Sequence, residues 1–215
     1  MKKIHFSNKF RLTQAVLERL KNMTRRKIPQ KELNKVFSFR ETYYDNTFDY
    51  LSDKELFEHF YFTEKLGKLP YKVGEVVAIA QSYRSITEEE EEINGVLGLY
   101  RIGQKYLTMD EMGAGWSNKM FTRADLMPHH IRITSVKVER LQDISDADCL
   151  REGIRQSVIE YERKKVVQYT YFGEKRTIWY DTPREAFAAL IDRISGKGTW
   201  DSNPWVFAYE FELID

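Results

Sequence analysis

Ile131-Arg-Ile-Thr-Ser-Val-Lys-Val-Glu-Arg-Leu-Gln-Asp-Ile-Ser145 is the stretch whose reading decides the fold. Ile131, Ile133, Val136 and Val138 mark a strand running from about residue 131 to 141. Ser145 then caps a short helix that carries Cys149 and Glu152 and closes near Gly153. Downstream, a longer charged helix or helical loop is expected towards Lys165. Val166 to Phe172, Gly173 and Arg176 to Tyr180 read as a hairpin. Thr182-Pro-Arg-Glu185 is a helix start, with a cap, a proline in the first turn and a glutamate three residues on. Phe187, Leu190, Ile191 and Ile194 form the stripe of that helix, and Gly196 ends it. Trp205, Phe207, Tyr209, Phe211 and Leu213 alternate as a half-buried strand.

Upstream, Lys72-Val-Gly-Glu75 is a turn before a strand at Val76 to Ala80. Glu88 to Glu92 with Asn94-Gly95 reads as a solvated acidic loop, and Val96 to Ile102 as a strand. Asp110 to Asn118 is expected to loop around Trp116. Residues 30–67 are rich in aromatics, among them Phe37, Phe39, Tyr43, Tyr44, Phe48, Tyr50, Phe57, Phe60, Tyr61 and Phe62. They read as a helical insertion, with a capping box at Ser52 and Glu55 and a stop at Gly67. At the amino end, Ile4 to Phe6 is a strand. Thr13 caps a helix with Val16, Leu17, Leu20 and Met23 at helical spacing. The sum is an α+β chain with roughly six strands separated by turns, which suits a small mixed barrel with peripheral helices.

One domain is expected from 215 residues, and 42% hydrophobic and 14% aromatic content suffice for a core. The single cysteine, Cys149, excludes an intramolecular disulfide and suits a reducing compartment. No metal site is expected, since His129 and His130 point to opposite faces of an extended chain. No apolar run reaches about 18 residues, and the basic amino end lacks a signal-peptide core. The expectation is a cytoplasmic protein with no cofactor.

Charge is unevenly placed. The first forty residues hold twelve Lys or Arg against Glu18 and Glu32, a local +10 in a chain of net +1. Lys21-Asn-Met-Thr-Arg-Arg26 concentrates this charge beside a hydroxyl and an amine. Near-neutral net charge argues against a general nucleic-acid coat, but a local groove for an anion remains compatible. Arg25, Arg26 and Arg19 are the candidate phosphate ligands, because a guanidinium fork matches phosphate oxygens. Tyr83 and Trp116 are candidates for stacking on a base. The plainer alternative is a helix end whose cations answer the helix dipole.

Several segments in order resemble the ASCH family of the PUA-like superfamily, in particular its phage and prophage-associated branch. They are Phe6-Ser7 through Lys21-Asn-Met-Thr-Arg-Arg26, Pro70-Tyr-Lys-Val-Gly-Glu75, Arg132 to Ser145 with Glu152-Gly-Ile154, and Phe187 to Gly196 with Trp200-Asp-Ser-Asn-Pro-Trp-Val206. The resemblance implies a PUA-like β-barrel with a cleft beside the first helix, binding nucleic acid, RNA foremost, or a modified nucleoside. Some members of that family are amidohydrolases that remove acetyl from N4-acetylcytidine. For them the resemblance implies Thr24 as nucleophile, Lys21 as base and Glu152 as proton relay. The chain departs from the family pattern at Arg19, Asn22, Ala80 and Gln81. A third expectation is a phage accessory protein that engages a host protein through the aromatic region 37–62.

Overall fold

Trp205–Leu213 and His130–Arg140 lie antiparallel along almost their whole length and form the spine of a mixed sheet. The computed structural model describes residues 1–42, 50–87, 90–93, 96–161, 164–173 and 177–215. In chain order the elements are β1 (Lys2–Ile4), α1 (Leu12–Leu17), β2 (Met23–Lys27), α2 (Gln30–Thr42) and α3 (Asp53–Glu58). After a π-helical turn at His59–Thr63 come β3 (Val76–Ile79), α4 (Tyr83–Ile86), β4 (Glu90–Ile93), β5 (Val96–Ile102), β6 (Lys105–Thr108) and α5 (Met109–Met112). They are followed by β7 (His130–Arg140), α6 (Asp146–Arg151), β8 (Arg155–Tyr161), β9 (Lys164–Thr170), α7 (Pro183–Ser195) and β10 (Trp205–Leu213).

Five strands join in the order β1-β3-β7-β10-β2, with β1 parallel to β3 and the other pairs antiparallel. The fold is therefore α+β, as expected. Among the described residues no ladder links β1 to β2, so what is seen is a five-stranded sheet and not a closed barrel of six. The other strands form a three-stranded sheet, β4-β5-β6, and a separate ribbon, β8-β9. Thr134 is an extra residue between the Ser135–Glu210 and Ile133–Phe211 pairs. This bulge explains why the apolar pattern shifts from Ile131 and Ile133 to Val136 and Val138.

The sheet is covered on both faces, so β10 is buried without a break from Trp205 to Tyr209 and is not half-exposed. The region 30–67 supplies one cover. Phe57 stacks on Trp205 at 4.6 Å, and Tyr61 meets Phe207 edge-on at 5.0 Å. A fully buried phenylalanine contributes ~1.5–3 kcal/mol, so these rings bind the insertion to the sheet. Phe37, Phe39 and Phe60 pack among them, while Tyr50 is exposed. Tyr43, Tyr44 and Phe48 lie outside the described residues, as do Glu88, Glu89, Asn94 and Gly95 of the expected acidic loop; its described part, Glu90–Ile93, is a strand paired with β5 and not a loop.

The caps at Ser52, Ser145 and Thr182 form as their sequences demand. Five further expectations need correction. α1 stops at Leu17 because Arg19 turns left-handed at φ 58°, so the apparent period through Leu20 and Met23 is accidental and Met23 opens a strand. Thr13 lies inside α1; its hydroxyl donates to Asn8 Oδ1 at 2.6 Å instead of capping. The charged stretch towards Lys165 is strand β8, whose Val158 and Ile159 pair with Val167 and Val166. Thr108 and Glu111 cap a short helix where a loop was expected. The hairpin expected around Gly173 reduces to a bridge between Tyr169 and Tyr180, because β9 pairs with β8.

Candidate functional site

Two segments far apart in sequence meet at the sheet edge formed by β2. The left-handed turn at Arg19 lets the Leu20 and Lys21 amides both donate to the Ala15 carbonyl, at 2.8 and 3.0 Å. This tight exit from α1 turns Lys21 inward. Asn22 then fastens the loop to the end of α6. Its amide donates to the Arg151 carbonyl at 3.0 Å, and its side-chain oxygen accepts from Arg151 Nε at 3.0 Å. On the opposing side Gly153 has φ +105°, and a Cβ there would press on Leu12 at 3.2 Å. Glycine thus permits the close approach that brings Glu152 to Lys21.

The Lys21 ammonium donates to Glu152 Oε2 at 2.6 Å, to the Glu152 carbonyl at 2.8 Å and to the Met23 carbonyl at 2.6 Å. The pair is buried, with side chains only 2% and 6% exposed. Burial pushes the Lys21 amine below its ordinary value. Glu152 opposes this, and the Arg26 and Arg25 charges reinforce it. Thr24, also buried, is next but two along the chain. Its hydroxyl makes no hydrogen bond to a described residue.

Arg25 is held by three carboxylates: Glu139 at 2.7 Å, Asp148 at 3.0 Å and Glu152 at 3.2 Å. Lys137 joins from outside, 3.0 Å from Glu139 and 3.6 Å from Asp148. Burial works against the Arg25 charge, but Glu152 and Glu139 outweigh it and hold the guanidinium more firmly protonated. Around Lys21 and Arg25 the cations are matched by acids, so this part of the cleft is not a basic groove.

Thr24, Lys21, Glu152, Arg25 and Arg26 all line one cavity of about 230 Å³. Side chains alternate along a strand, placing Thr24 and Arg26 on one face of β2 and Arg25 on the other. Because β2 is the sheet's edge strand, residues from both faces border the cavity. The far wall is apolar, formed by Phe187, Leu190, Ile191 and Ile194 of α7, and the third side is His5, Phe6 and Ser7.

The other candidates fall elsewhere. Arg25 is saturated by carboxylates and has no free fork for phosphate. Arg19 is exposed and donates to the Leu213 carbonyl at 3.1 Å, outside the cavity. Tyr83 is buried beside Ile102 and Met112, and its hydroxyl accepts from the Arg123 amide at 3.0 Å. Trp116 packs against Tyr100 at 5.2 Å. Neither Tyr83 nor Trp116 lines the cavity, because both are committed to the packing of the small sheet. Ala80 and Gln81 end β3, also away from it.

Glu139 and Asp148 are structural members of the site that the linear reading did not single out, and Asn22, noted there only as a departure from the family pattern, fastens the loop. Asp148 stands four residues before Glu152 on α6, so helical spacing alone puts the two acids on one face. Glu139 carries no local signal, and the stripe of α7 is legible as an apolar helix face but not as a cavity wall. Among the described residues no cluster of His, Cys, Asp and Glu has the geometry to hold a metal ion, and no helix is long and apolar enough to cross a membrane. No family model, curated protein or solved structure matches the chain.

Proposed function

We propose that the cavity is an amidohydrolase site for an N4-acylated cytidine-type nucleoside, on a fold of the PUA-like, ASCH kind. The observation that carries this is the buried 2.6 Å Lys21–Glu152 contact in a small cavity that the unengaged Thr24 hydroxyl also lines. Small-molecule pockets usually measure about 300–1,000 Å³, so a cavity just below that range suits a single nucleobase or nucleoside. The apolar α7 wall offers the flat surface that a base requires.

The chemistry needs a neutral Lys21, since all three of its N–H bonds are engaged as an ammonium. Burial and the two arginines favour proton loss, and Glu152 is placed to receive the proton. Neutral Lys21 then takes the Thr24 hydroxyl proton while Oγ1 bonds to the acyl carbon. The carbon–nitrogen bond breaks, and protonated Glu152 delivers its proton to the leaving amine. Water attacks the resulting Thr24 ester, releasing the carboxylic acid and restoring the hydroxyl.

The test is release of acetate and cytidine from N4-acetylcytidine, followed by chromatography. Wild type should turn over, Thr24→Ala should not, and Glu152→Gln should be slowed by about 10²–10⁴-fold. No release by wild type, or full activity in Thr24→Ala, would sink the proposal.

A second reading is retention of a modified nucleoside without turnover. The three engaged N–H bonds of Lys21 favour it, because they describe a structural ammonium. Binding of cytidine derivatives with no acetate release would select it. Binding to a long polyanion is less well supported, since the acids around Arg25 cancel the charge that a groove would need.

A further inference from the structure

One side of the cavity carries cations that make no direct ion pair among the described residues; burial lowers Arg26, and Tyr71 and Glu152 only partly offset it from a distance. His5, Phe6 and Ser7, which follow β1, face Arg26 of β2 across it. The Arg26 guanidinium donates to the His5 carbonyl at 2.6 Å and lies 5.7 Å from the centre of the Phe6 ring. Lys119, which does not itself line the cavity, reaches the same segment from the loop before β7. Its ammonium donates to the Phe6 carbonyl and, at 3.0 Å, to Asn8 Oδ1. Lys3 fixes that loop by donating to the carbonyls of Lys119, Met120 and Thr122.

These groups sense one another. His5 is held below its ordinary value first by burial and then by Lys3, Lys119 and Arg26. Lys119 is lowered by burial and by Arg26. Among the described residues none of the four makes an ion pair with a carboxylate, in contrast to Lys21 and Arg25. Arg26 Nε and His5 Nδ1 are shut off from solvent and have no partner. Lys119 keeps one of its three N–H bonds unused, and Arg26 most of its five. A partnerless buried donor such as Arg26 Nε and the closeness of Arg26 to Lys119 are both costly. An anion seated among them would relieve both costs, through charge-assisted hydrogen bonds.

We propose that this wall is an anion subsite and that the cavity takes a phosphorylated nucleoside, its phosphate held by Arg26, Lys119 and His5. The inference rests on reading the cavity as a nucleoside site. It moves the phosphate contact away from Arg25 and Arg19, leaving Arg26 to act with two residues from other parts of the chain. The shared chemistry is a phosphate ester, whether on a mononucleotide or between nucleotides of a strand.

Equilibrium binding of cytidine, cytidine 5′-monophosphate and a cytidine-centred trinucleotide at low salt tests it. The monophosphate should bind at least about tenfold more tightly than cytidine. Lys119→Met should cut that preference, measured as the ratio of the two affinities in the same variant, to below about threefold, and Lys119→Arg should keep most of it. Tighter binding of the trinucleotide than of the monophosphate places the phosphate in a strand; weaker binding places it on a mononucleotide. Equal binding of cytidine and its monophosphate, or no binding of the monophosphate, overturns the subsite, and this comparison needs no variant. An undiminished preference in Lys119→Met also overturns it. Phosphate-dependent binding without acetate release leaves the subsite standing and removes the hydrolase reading. Hydrolysis of free N4-acetylcytidine with no gain from phosphate does the reverse.

Discussion

Arg25 holds the two halves of the site together. Its guanidinium is 1% exposed and joins β2 to Glu139 of β7 and to Asp148 and Glu152 of α6. Removing it leaves Glu152 with Lys21 alone and Glu139 and Asp148 with the half-exposed Lys137 and Arg151, one buried cation short. Arg25→Met should therefore lose about 3–5 kcal/mol of stability, the usual cost of leaving one side of a buried ion pair unmatched. Urea denaturation measures this, and a loss below about 1 kcal/mol would show that the network is dispensable. Lys21 and Thr24 stand out in the chain as a cationic cluster beside a hydroxyl, whereas Glu152 is joined to them only by the resemblance to a family. The role of Arg25 does not stand out. Two of its partners lie 114 and 127 residues away, so a local view shows only a run of cations.

At the level of elements, short-range chemistry was a reliable guide wherever a side chain closes on its own backbone. Ser52 with Glu55 and Thr182 with Glu185 form capping boxes where their spacing places them. It failed where the outcome depends on a distant surface, as with β8 and the end of α1. Gly173 shows how such surfaces constrain a loop. It has φ +106°, and a Cβ there would sit 2.1 Å from the Lys9 carbonyl oxygen and 2.9 Å from Phe10 Cα. The obstacle is backbone, which cannot swing aside. Gly173→Ala should cost about 1–3 kcal/mol through strain and overpacking. An unchanged thermal midpoint would mean that the loop at residues 171–173 does not rest on the amino-terminal segment as described.

Across the whole molecule, stability should depend on pH through carboxylates that folding keeps ionised. Burial alone would raise Asp148, but the Arg25 hydrogen bond and charge, with Lys137 and Arg151, carry it below its ordinary 3.8. Burial likewise opposes Glu75, and the Lys72 amide and Lys2 bring it below 4.5. A lowered carboxylate stabilises the fold above its unfolded value and loses that contribution as pH falls through its folded value. The denaturation midpoint should thus decline once pH drops below about 4.5, and the decline should be shallower in Arg25→Met. Lys21 works in the same direction but in the alkaline range. Its lowered value means that stability rises with pH on the way up towards 10.5. A midpoint equal at pH 3 and pH 7 would contradict the acid arm. The sequence by itself determined the α+β class, the caps at Ser52, Ser145 and Thr182 and the helical character of the aromatic region, because these follow from periodicity and from contacts three or four residues apart. Only the tertiary structure decided the five-stranded ladder, the borders of the cavity, the neutralisation of Arg25 by acids from β7 and α6, and the gathering of Arg26, Lys119 and His5 without a direct ion pair. Strand pairing and electrostatics act through space, and the groups that complete them are separated by most of the chain.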